Sequence, residues 1–122
     1  MRKVKTIFIT AVLCSGLSAC MFFDFLLDPP GKGAAAEAWF KRCQPIIDAL
    51  ENYKIKNLHY PENVKTLLPE YVGTIPEEEL KQGELRYRAQ KGSYELMFTY
   101  YGPGVNYCIY KPESKWSCSG YY

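Results

Sequence analysis

The strongest constraint on this chain is a change of hydrophobic period partway along it. Between Ala34 and Lys56, the residues Trp39, Cys43, Ile46, Leu50 and Tyr53 recur at intervals of four, three, four and three, the spacing of one face of an α-helix. Phe40 and Ile47 widen that stripe, while Lys41, Arg42, Asp48, Glu51 and Lys54 supply a polar side. An amphipathic helix must lay its apolar stripe on something. Pro45 interrupts the pattern, because it lacks an N–H and its ring meets the preceding turn, so a kink or break is expected around Arg42 to Gln44. From Glu84 onward the period becomes two. Leu85, Tyr87 and Ala89 alternate with polar residues, as do Tyr94, Leu96, Phe98 and Tyr100, and Val105, Tyr107 and Ile109 continue on a third run. Turns at Lys91-Gly92, Gly102-Pro103-Gly104 and Pro112 to Lys115 separate these runs from one another and from a last one, Trp116 to Tyr121. The pattern predicts an α+β fold: one long N-terminal amphipathic helix packed on a small antiparallel sheet of about four strands. One sheet face would take the helix and the other would meet water.

Between helix and sheet, Tyr60 to Val72 reads as a short helical turn bracketed by Pro61 and Pro69, with Val64, Leu67 and Leu68 facing inward. The run Glu77-Glu78-Glu79 reads as a solvated loop or turn, since adjacent side chains do not converge on one point. No metal site is expected there.

The first twenty residues carry an address. Arg2, Lys3 and Lys5 precede the apolar stretch Ile7 to Leu13, and Ser15, Gly16, Ser18 and Ala19 lead to a cleavage point, the layout of a secretory signal. The apolar stretch is too short to span a hydrocarbon core of roughly 30 Å, which takes about 20 residues. Leu17-Ser18-Ala19-Cys20 resembles the bacterial lipobox: Leu at the third position before the cysteine, two small residues, then Cys. The resemblance implies a diacylglyceryl thioether on Cys20, cleavage before it and acylation of the new amine. Two or three acyl chains make a stable anchor where one is marginal. Met21 stands where an Asp would favour inner-membrane retention, so the resemblance implies a periplasm-facing outer-membrane lipoprotein. The chain then divides into a signal at residues 1–19, a lipidated tether at 20–33 and a domain at 34–122. Within the tether, Phe22, Phe23, Phe25, Leu26 and Leu27 either lie in the acyl–headgroup boundary or pack on the domain; Pro29-Pro30-Gly31 then breaks any regular structure.

Removing the signal reverses the charge argument. Three of the 15 basic residues leave with it, so 12 face 13 acidic ones and the net charge falls from +2 to −1. No nucleic-acid partner is implied. Cysteine bookkeeping changes too, because Cys14 leaves with the signal and Cys20 takes lipid. Cys43, Cys108 and Cys118 remain. If 108 opposes 118 across the last turn, the pair is within disulfide reach, and an oxidising envelope preserves such a bond. A bond from Cys43 to either is the rival pairing; otherwise Cys43 is a small buried residue of the helical stripe.

The domain also resembles a known family. Ala49-Leu50-Glu51-Asn52-Tyr53, Tyr60-Pro61, Leu67-Leu68-Pro69-Glu70-Tyr71 and Ile75-Pro76 are similar to the helix end and connector of type IV pilins and type II secretion major pseudopilins. That resemblance implies a pilin-like headgroup fold. Here the anchor would be lipid, since the long apolar helix and prepilin site of pilins are missing.

No cofactor is expected, and no catalytic set. HExxH, CxxC, GxSxG and Gly-rich phosphate loops are missing from the sequence. Cys43 and His59 form the only conceivable dyad, with His59 reading as a surface residue and Cys43 on the buried stripe. Aromatic residues make up 16% of the chain, more than a small core needs. Tyr100, Tyr101, Tyr107, Tyr110, Tyr121 and Tyr122 are therefore candidates for a binding surface, or else core and edge-strand residues. The expected function is a non-catalytic, membrane-anchored interaction or structural protein with an envelope protein as partner. The alternative is an immunity or inhibitor lipoprotein that blocks a toxin or hydrolase.

Overall fold

The computed structural model describes residues 28–121 apart from Pro103. The signal layout, Cys20, the apolar tether and Tyr122 lie outside the described residues. Helix α1 spans Ala34–Asn57, a 3-10 turn spans Val64–Leu67, and a short helix α2 spans Glu77–Gln82. Strands β1 (Leu85–Gln90), β2 (Ser93–Tyr101), β3 (Val105–Lys111) and β4 (Lys115–Tyr121) form an antiparallel sheet in sequential order. The α+β class and the four-stranded meander stand as the period change predicts.

The helical stripe is the core. Trp39, Cys43, Ile46, Ile47 and Leu50 are buried, joined by Ala36 and Ala49 on the same side. They meet Tyr94, Leu96, Phe98 and Tyr100, the inward residues of β2. Trp39 stacks on Phe98 with centroids 5.3 Å apart, and Phe40 lies 4.9 Å from Trp116. Contacts of this kind set how the helix lies on the sheet, since aromatic pairs add about 0.5–1.5 kcal/mol beyond burial. At the other end Tyr60 packs edge-on against Tyr94, 4.7 Å between centroids. The helix therefore runs from the β2–β3 turn towards the β1–β2 turn.

Two expectations are corrected, and the phase of the third strand is set. α1 continues unbroken through Pro45. Its ring is exposed, so the Lys41 carbonyl that loses its helical donor sits where water reaches it. Glu77, Glu78 and Glu79 form the first turn of α2, not a loop. Carboxylates at a helix start face its positive dipole end, and Glu79 pairs with Arg42, tying α2 to α1. On β3 the buried residues are Asn106, Cys108 and Tyr110, and Val105, Tyr107 and Ile109 take the opposite face. The register dictates this. Tyr100, Phe98 and Leu96 oppose Asn106, Cys108 and Tyr110, and directly opposed residues share a face.

Cys108 and Cys118 are cross-strand partners with Cα atoms 4.1 Å apart, joined by a disulfide. Among the described residues Cys43 is the free thiol, buried in the core. Ahead of α1 the chain crosses the ends of the core-facing strands as a strap. The Gly31 N–H donates to Tyr100 Oη at 2.9 Å. Gly31 has φ +83°, and a Cβ there would stand 2.7 Å from Cys118 Sγ. Only glycine passes so close in that backbone conformation.

Candidate functional site

The strap enters at one end of the molecule; at the other, α1 ends in exposed apolar residues, and a groove runs from there along β1. α1 ends on Leu58, which adopts a left-handed φ of 66° while its N–H caps the Lys54 carbonyl at 2.8 Å. Glycine or asparagine is the usual occupant of such a position. Here a leucine holds it with 86% of its surface in water, and Ile55, three residues earlier, is 77% exposed. Ile55 lies in the last turn of α1 and Leu58 is its cap, so the helix terminus carries an exposed apolar knob.

Next to the knob, His59 and Tyr60 begin a concave strip that follows β1. Its first part is lined by His59, Tyr60, Glu62, Tyr87 and the β1–β2 turn. Its second part, about 630 Å³, sets apolar Val64, Leu80, Leu85 and Met97 among charged Glu62, Arg86, Arg88 and Glu95. β1 is an outer strand with β2 as its one neighbour, so among the described residues its other backbone edge pairs with no strand. The walls are fixed. Tyr87 Oη donates to the Pro61 carbonyl at 2.6 Å, and Arg86 Nε to the Gly83 carbonyl at 3.2 Å. Arg88 and Lys111 both reach Glu95, at 3.2 and 3.3 Å. An open strand edge beside a groove of mixed polarity is the geometry that accepts an extended chain by strand addition.

The tyrosines expected to form a surface divide. Tyr100 and Tyr110 are buried on the core face and are withdrawn from any docking surface. Tyr100 receives the strap, and the Tyr110 hydroxyl accepts a bond from Lys115 Nζ. Tyr101 is 69% exposed and Tyr107 half-buried. Tyr121 ends β4. Ile55 and Leu58 carry a signal that was present in the sequence: Ile55 stands between Lys54 and Lys56, off the apolar stripe.

The one conceivable dyad is not assembled. Cys43 lies fourteen residues before the end of α1, about 21 Å along its axis at the helical rise of 1.5 Å. Burial pushes its thiol up to about 12, against a smaller opposing pull from Arg42. A thiol so held is a packing group. His59 is exposed, with Nδ1 3.0 Å from the Tyr60 carbonyl and its ring edge-on to Tyr53. Among the described residues no three His, Cys, Asp or Glu side chains converge as metal ligands, and no helix is long and apolar enough to cross a membrane.

No protein-family model, curated protein or solved structure matches this chain.

Proposed function

We propose that this is a lipid-anchored envelope protein whose domain docks another protein through its knob and β1 groove, without chemistry of its own. The observation that carries the docking is Leu58. A large apolar side chain stands exposed, in a backbone conformation that disfavours it, where a glycine would be easier. Beside it, the free edge of β1 offers main-chain donors and acceptors, and the groove offers both apolar and charged contacts. The anchor is supported by the signal layout and by Cys20 in its lipobox. A long helix laid across an antiparallel sheet accords with a pilin-like headgroup, and the outer membrane, on its periplasmic side, is the location that Met21 favours.

Two experiments test this. A photo-crosslinking side chain at Leu58 in intact cells should yield one discrete adduct, weakened by Ile55→Asp, whereas the same probe at exposed Lys41 yields none. Adducts of equal pattern from both positions would remove the docking reading. The anchor is tested by intact mass, which should show cleavage before Cys20 plus acyl chains, both lost in Cys20→Ala.

A further inference from the structure

The end of the domain that receives the strap differs chemically from the knob end. Residues 99–108 and 117–121 contain no Asp, Glu, Lys or Arg. Tyr101 and Val105, opposed across β2 and β3, are 69% and 39% exposed, and Val105 is opposed in turn by Tyr121. The opposite end of the sheet holds Lys91, Lys111, Glu113 and Lys115. The β2–β3 turn and the end of β4 are themselves uncharged, with Asp28, Lys32 and Glu37 on the adjoining strap and helix start and Glu84 and Arg86 at the start of β1; an exposed tyrosine there suits a headgroup layer, where an aromatic ring finds apolar and wet surroundings together.

The chain leads from that end of the sheet towards Cys20. Pro30 lies against Gly120 and Gly31 against Cys118, and Gly31 is bonded to the residue preceding Tyr101. From Asp28 back to Cys20 there are eight residue steps, at most about 28 Å of extended chain. We infer that the β2–β3 end of the sheet rests on the lipid surface, with Tyr101 in the headgroup layer. The inference rests on acylation of Cys20, and it goes further by fixing which end of the domain meets the membrane. Strand β2 is nine residues long, so the β1–β2 turn stands about 27 Å away. The knob and the start of the groove then point into the aqueous space.

The test uses the acylated full chain, extracted from membranes and reconstituted in vesicles of phosphatidylethanolamine and phosphatidylglycerol that carry a headgroup-depth spin-label quencher. An environment-sensitive dye is attached at Tyr101→Cys, Val105→Cys or Lys91→Cys. Labelling is selective because Cys43 is buried and Cys108 and Cys118 are bonded. Quenching should be several-fold stronger at 101 and 105 than at 91. Equal quenching at all three positions, or none at 101 and 105 while the protein floats with the vesicles, overturns the inference and leaves the anchor standing. Failure of the protein to float overturns the anchor reading, and this inference with it.

Discussion

Two tyrosines whose rings touch should respond in opposite directions to the same chemical deletion. Tyr94 is fully buried, 4.7 Å from Tyr60, 5.8 Å from Tyr87 and 6.0 Å from Tyr110 between ring centroids. The other three hydroxyls have partners: Tyr60 donates to Glu51 Oε1 at 2.9 Å, Tyr87 to the Pro61 carbonyl, and Tyr110 accepts from Lys115. The Tyr94 hydroxyl has none among the described residues. An unpaired buried hydroxyl costs about 1–3 kcal/mol of desolvation, partly offset by the dispersion contacts of one oxygen atom. Tyr94→Phe should therefore raise the unfolding free energy by about 1 kcal/mol, or about 4–8 °C in Tm for a domain of this size. Tyr60→Phe removes a bond to a carboxylate and should lower it by about 1 kcal/mol. Urea unfolding followed by tryptophan fluorescence reads both, and unchanged m-values would place the effects in the folded state. If Tyr94→Phe instead destabilises by about 1 kcal/mol or more, the hydroxyl is bonded in solution, through a buried water, and the reasoning fails.

Gly31→Ala should destabilise by about 1–3 kcal/mol, because it forces a side chain into a left-handed backbone against Cys118. Gly73→Ala, with open space around its Cβ, should be close to neutral in the same urea titration; equal effects would show that the strap is not seated as described. Alkaline stability follows from burial. Desolvation holds Cys43 and Tyr87 up at about 12 and raises Tyr60 and Tyr94 as well. The unfolded chain thus releases these protons first, and stability, fully present below pH 9, falls as pH rises from 9.0 towards 12. An unfolding free energy that stays flat across that window would contradict the burial of these groups.

The sequence was most legible where burial repeats locally. Trp39, Cys43, Ile46 and Leu50 are core residues because a 3.6-residue period alone puts them on one side. The phase of β3 was hidden for the converse reason. Val105, Tyr107 and Ile109 look like a strand interior, yet the register with β2 turns Asn106 and Cys108 inward. That register is a property of two strands together, and no composition within one of them reveals it. Tyr100 and Tyr110 likewise read as surplus aromatics until the strap and Lys115 give their hydroxyls partners. The groove was illegible altogether, because Glu62, Leu80 and Arg86 line it from three separate elements of the connector and sheet. Ile55 was the exception, an apolar residue visibly on the wrong side of its helix.

The seating of Gly31 beside the disulfide has a mechanical consequence. Tension arriving along the chain through Asp28 is delivered to the corner where β3 and β4 are covalently joined. Unzipping β4 from its C-terminal end separates Val105 from Tyr121, Asn106 from Gly120 and Tyr107 from Ser119, and then stops at Cys108–Cys118. A pull strong enough to fray that edge would leave the hairpin beyond it closed. The domain is thus braced at the corner where a membrane tether would load it.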